Sequence, residues 1–158
     1  MSTTTPERTE QATTTAAPTR VRQPSKLLTW VAVLAFLVGG FSVIGGLGGA
    51  VYTYQQAVAE NVTTPGDAAI AETPVRGPLT MWAQADIITQ HQLDTTDGQR
   101  FSEMDRENPV RDSWFNATAL TTALSLGIIS YAFSAFAIAM GAMTILFGLV
   151  IHRLRRAD

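Results

Sequence analysis

Residues 27–51 read LLTWVAVLAFLVGGFSVIGGLGGAV, a run that carries no charge and is apolar or small almost throughout. As a helix it would measure about 37 Å at about 1.5 Å per residue, enough to cross a hydrocarbon layer of about 30 Å with some tilt. The uncharged run extends over residues 27–59, and a second covers residues 113–151, most apolar from 123 onward. Backbone polar groups cannot go unpaired in lipid, and neither run alternates as a barrel strand would. The pattern therefore predicts an all-α membrane protein, with two transmembrane helices joined by a small extracytoplasmic helical region. The expected divisions are a disordered cytoplasmic tail over 1–26, a first transmembrane helix over 27–52, an acidic extracytoplasmic helical region over 53–115, a helix including the second span over 116–151, and a basic cytoplasmic tail over 152–158.

Charge sets the expected orientation. Arg8, Arg20, Arg22, Lys26, Arg153, Arg155 and Arg156 flank the two spans against Glu7, Glu10 and Asp158, a net charge of +4. Residues 55–112 carry four arginines against ten acids, a net charge of −6, and the whole chain carries −2. Basic residues beside both spans, above all Lys26 and Arg153, place both termini in the cytoplasm of a plasma-membrane protein. Trp30 at the inner end, and Tyr52, Tyr54, Trp114 and Phe115 at the outer ends, suit interfacial aromatic belts. The small residues of 57–59, followed by Glu60, resemble a signal-peptidase site, but the apolar core before them far exceeds the usual roughly 7–15 residues. An uncleaved span is expected.

The first 25 residues are rich in Thr, Ala, Pro and Gln with few apolar side chains, too little buried surface to offset ordering entropy. Six of the twelve glycines fall in the first span. Small residues four apart let helices approach closely, which marks Ser42, Gly45, Gly46 and Gly49 there, and Ala137 and Gly141 in the second span, as helix-packing positions. Neither span holds a charged side chain, which argues against an ion or proton pathway formed by one chain.

Between the spans, Pro65-Gly66, Pro74 and Gly77-Pro78 mark a loop, and the stretch after Pro78 carries the spacing of a helix over 79–94, broken by Asp97-Gly98. Met81, Ala85 and Ile88, flanked by Trp82, line one face of that helix and form the expected partner-contact surface. A packing role against the chain's own second helix competes for the same face. Ser102 with Asp105 resembles a capping box, and Asn108-Pro109 suits a helix start that runs on into the second span.

Little chemistry is on offer. His91 and Asp94 fall three apart on a helix, and Asp97 follows, so the three would be the donors of any divalent-metal site. A functional transition-metal site usually takes three or four protein ligands, and this region has a single histidine. The chain has no cysteine, no Gly-x-Ser-x-Gly and no phosphate-binding glycine loop outside the apolar runs. The acids between Glu103 and Asp112 are accounted for by the helix dipole and by pairing with Arg106 and Arg111. No catalytic residue and no cofactor are assigned.

A resemblance joins these residues. Gly77, Pro78, Gln84, Ala85, Asp86, His91, Gly98, Phe101, Asp105, Arg106, Pro109 and Arg111 form a pattern similar to that of small actinobacterial two-span membrane proteins, many of which carry the name aromatic ring-opening dioxygenase. Phe101 stands where that pattern has Tyr, and Asn108 where an acid is common. The resemblance covers about residues 76–150 and implies two spans; through the name it implies a metal-dependent enzyme centred on His91. Such an iron site needs two histidines and a carboxylate. The chain has only His91 and His152, expected on opposite sides of the bilayer, so only an oligomer would pool enough ligands. The expected role is that of a structural or accessory membrane protein whose partners are the lipid bilayer and a membrane protein or further copies of itself. Nucleic acid is not among them, since basic residues are few.

Overall fold

The structure, a computed structural model, describes residues 25–157. The tail expected to be disordered therefore lies, up to residue 24, outside the described residues. Three helices follow in order: α1, Ser25–Glu60; α2, Pro78–Thr95; and α3, Arg111–Ala157. Among the described residues the only extended pairing is an isolated antiparallel bridge between Thr63 and Pro74. The fold is all-helical, and α1 and α3 are each long and apolar enough to cross a membrane.

Both long helices outrun the segments expected for them. Nothing stops α1 after Tyr52 until Asn61, whose positive φ of 49° ends it, asparagine being one of the few residues that tolerate that region. At the other end α3 absorbs the expected basic tail, running in helix through Ala157. Its 47 residues make a spine of about 70 Å.

α1 lies antiparallel along the C-terminal half of α3, and backbone contact sets their separation. A Cβ built on Gly39 would stand 2.7 Å from the carbonyl oxygen of Gly141, and one on Gly46 2.7 Å from that of Ser134. The same test at Gly141 meets the oxygen of Gly39 at 2.6 Å, and at Gly148 the Cβ of Ala35 at 3.2 Å. Closest approach thus falls at Ala32, Gly39, Gly46 and Thr53 on one helix, and at Ser134, Gly141 and Gly148 on the other, each series at intervals of seven. A seven-residue repeat keeps a single seam turned toward its neighbour along a slowly supercoiled pair. At the Thr53 end of the seam its hydroxyl and that of Ser130 bond at 2.6 Å, and Thr53 also donates to the carbonyl of Gly49.

Of the residues expected to pack, Gly46 and Gly141 sit in this seam, Gly49 meets the Ser134 hydroxyl, and Ser42 and Ala137 are half-buried beside it. Gly45 faces away, with nothing within 4 Å of a Cβ placed there. Elsewhere the two helices turn their apolar side chains outward. In the most hydrophobic window of each, only 11% of α1 and 17% of α3 is buried.

α2 packs antiparallel on the N-terminal part of α3. Gly77 precedes it, Pro78 opens it, and the Thr80 hydroxyl turns back to accept from the amides of Arg76 and Gly77. Asp97 and Gly98, at φ 51° and 82°, end it, with the Gly98 amide donating to the carbonyl of Leu93. The helix expected from Ser102 does not form: residues 101–110 are turns. Glu103 accepts from the Arg100 amide, and the Arg111 guanidinium, expected to pair with acids, donates instead to the carbonyls of Phe101 and Met104. Those carbonyls are thereby taken from a helical ladder. Asn108 accepts from the amide of Val110, so the helix begins at Arg111, two residues beyond the proline.

Candidate functional site

Three segments meet where α1 ends: the 61–77 connection, α2 and the first half of α3. The connection folds as a small hairpin around Thr64, one of the most buried side chains of the region. The Thr64 amide donates to the carbonyl of Thr73, its hydroxyl accepts from the Thr73 amide, and the Val75 amide donates to the carbonyl of Val62. Tyr131 reaches from α3 to donate to the carbonyl of Arg76 at 2.7 Å, fixing the hairpin and the start of α2 to the spine.

These segments leave a cavity of about 500 Å³ between them. Thr53, Gln56 and Glu60 contribute from the last turns of α1, Val62 and Val75 from the two limbs of the hairpin. Met81, Gln84 and Ile88 form the α2 wall, and Leu120, Ala123, Leu124 and Gly127 the α3 wall. The lining is mainly apolar. Gln56 donates to the Tyr52 hydroxyl, whereas the side-chain oxygen of Gln84 is buried without a donor, the only such side-chain atom among the described residues. Unpaired buried amides are costly, by about 1–3 kcal/mol in proteins, so this one stands out against an otherwise satisfied interior.

The face expected to meet a partner is divided between the two environments. Met81 is buried, with its sulfur in contact range of Gly127, and Ala85 and Ile88 are half-buried. Trp82 remains exposed, next to exposed Leu79. The wholly buried residues of α2 besides Met81 are Ala83 and Ile87. An amphipathic stripe tells which residues are apolar but not which neighbour covers them; here the hairpin and the spine press on α2 from two sides.

His91 takes a different partner from those its sequence neighbours offered. Its Nε2–H donates to the carboxylate of Asp67 in the hairpin at 2.7 Å, an ionised carboxylate being able only to accept. Asp94 follows one turn later on α2, and Asp97 lies beyond the helix end. Among the described residues no three His, Asp or Glu side chains gather as metal ligands. Gln92, beside His91, accepts from the Ser113 hydroxyl, which places His91 near the start of α3. His152 stands 39 residues further along that continuous helix, about 60 Å away at about 1.5 Å per residue. The two histidines of one chain do not share a site.

The bond to His91 holds the Asp67 carboxyl below its usual value of 3.8, helped by an amide of its own backbone. A carboxylate depressed in the folded state contributes stability that is fully present above the unfolded value and is lost as pH falls through the folded one. Amide protection in residues 62–75, with the intrinsic slowing of exchange toward acid divided out, is therefore expected to fall below about pH 4. In Asp67→Asn the exchange should be faster already at neutral pH and insensitive to that acid step. An unchanged acid profile in the variant would assign the step to another carboxylate.

No family model, curated protein or solved structure matches this chain.

Proposed function

We propose that the chain is a two-span integral protein of the plasma membrane, with both termini cytoplasmic, serving as a structural or accessory subunit. The observation that carries this reading is the outward turn of the apolar side chains on α1 and α3. A core helix of a water-soluble protein buries such residues, whereas Phe41, Ile44, Phe133, Phe136 and Phe147 are each more than three-fifths exposed. Lipid is the solvent in which that surface costs nothing. The seam of small residues suits the same setting, because helix association there rests on close van der Waals packing and interhelical hydrogen bonds such as that of Thr53 with Ser130. Lys26 and Arg153 support cytoplasmic ends, and the hairpin and α2 then form an acidic cap outside.

The accessory role draws on what the seam leaves unused. Gly40, Gly45 and Gly48 have nothing within 4 Å of an added Cβ, and Gly45 and Gly48 lie between exposed Phe41 and Tyr52 on one face of α1. This makes a notch into which a helix of a partner, or of a second copy, can pack. Gly48→Leu is expected not to lower the unfolding free energy, since nothing stands against the new side chain and leucine is a better helix former than glycine by up to about 1 kcal/mol. The same variant should lower recovery of any membrane protein, or tagged second copy, that co-purifies through the notch about tenfold after gentle detergent extraction, an affinity loss of about 1.4 kcal/mol. Equal recovery from both proteins would sink the notch as a contact. Because the natural chain has no cysteine, single cysteines at Gly98 and after Asp158 report topology cleanly. An impermeant maleimide should label only the first in intact cells.

A further inference from the structure

The cavity between the end of α1, the hairpin, α2 and α3 has the properties of a ligand site, and its position says what kind. Its volume of about 500 Å³ lies within the range of about 300–1,000 Å³ usual for pockets that enclose small molecules. Met81, Leu124 and Val75 make apolar walls, which offer nothing to ordered water and would lose van der Waals partners if left empty. The polar groups are few, and two of them, the Thr53 hydroxyl and the Gln56 amide, are already bonded to Ser130 and Tyr52, which leaves two. Gln84 brings a buried side-chain oxygen with no donor, and Glu60 brings a carboxylate at the exposed end of α1. Both accept hydrogen bonds. The terminal torsion of a glutamine is soft enough to turn its oxygen toward a neighbour.

On the membrane reading given above, on which this inference rests, Thr53 lies at the level of the aromatic residues Tyr52 and Tyr54. The cavity then opens at the outer boundary of the bilayer, where amphiphiles enter laterally. We infer that the cavity binds a single-chain amphiphile with a hydrogen-bond-donating head, its chain against Met81 and Leu124 and its head donating to Gln84. Charge complementarity argues against an anionic head: Glu60 stands at the site and the cap carries a surplus of acids. A head that only accepts would leave the Gln84 oxygen unpaired, which is the discrimination a buried polar group supplies best.

The test uses the full chain in nanodiscs of phosphatidylcholine, whose head has no donor, with the methionine methyl groups labelled by carbon-13 and Met81 assigned from Met81→Leu. Monoolein, with two hydroxyls, is expected to shift the Met81 methyl signal saturably, and methyl oleate, with none, to bind about tenfold more weakly. Gln84→Leu should bring the two ligands to equal affinity, and Ala123→Phe, which fills the cavity, should abolish both shifts. Equal binding of the two ligands by the natural chain, or no saturable shift, overturns the proposal while leaving the membrane reading intact. Failure of the natural chain to enter the bilayer overturns both.

Discussion

Valine in place of Gly46 is expected to force α1 away from α3 and to cost about 3 kcal/mol, the upper end of what overpacking usually costs. The Cβ would stand 2.7 Å from the carbonyl oxygen of Ser134, 2.8 Å from Cγ1 of Ile138 and 3.1 Å from the Ile138 amide nitrogen. Ordinary carbon contacts fall near 3.5–4.0 Å, and two of these three atoms belong to the backbone of a continuous helix, which cannot swing aside. Relief comes only from moving the helices apart. That movement also opens the Gly39–Gly141 contact one heptad away and stretches the Thr53–Ser130 hydrogen bond at the other side. The paired control is Gly45→Val, next in sequence, where nothing lies within 4 Å and the change should stay within about 0.5 kcal/mol. Reversible unfolding in mixed micelles measures both, and chemical cross-linking of Thr53→Cys to Ser130→Cys reports the separation directly. Equal losses in the two valine variants would mean that the close approach at the seam does not set the cost, since valine is no worse a helix former than glycine.

That contrast also shows where the sequence was legible and where it was not. The two long helices follow from uncharged runs whose length needs no knowledge of neighbours. α2 follows from local punctuation, since Gly77-Pro78 and Asp97-Gly98 bracket it through backbone geometry that those residues carry with them. The seam is a different kind of information. Spacing of four marks Gly45 as readily as Gly46, and only the register shared with Ser134, Gly141 and Gly148 separates them. A seven-residue interval linking Ala32, Gly39, Gly46 and Thr53 was present in the sequence as the signal for it. No comparable signal points to the cavity. Its walls come from four segments, and Gln84 reads as an ordinary polar position until those segments close around it. The Asp67–His91 bond joins residues 24 apart through a hairpin whose fold depends on the buried Thr64.

Arg111 is the second position where a single substitution should be severe, and the reason lies in geometry that charge counting conceals. A cation in the first turn of a helix opposes the dipole, so its presence there requires compensation. The guanidinium finds it by donating to the carbonyl of Met104 at 2.6 Å and to that of Phe101 at 3.3 Å, with its centre 4.1 Å from the centroid of the Phe101 ring. Hydrogen bonds to a charged group are worth about 1.5–3 kcal/mol, and a partly exposed cation–π contact about 0.5–1 kcal/mol. Arg111→Met keeps the length of the side chain and removes both, so a loss of about 2–3 kcal/mol is expected. The loss should be local: amides of residues 100–108 exchange faster, Met104 leaves its buried position, and the emission of buried Trp114, whose indole N–H donates to Thr96, shifts to the red. Lysine is the decisive variant. It restores the charge, but its compact ammonium cannot bridge two carbonyls while stacking flat on a ring. If Arg111→Lys recovers no more than about half of the exchange protection, the planar fork holds the turns; full recovery would show that charge alone suffices.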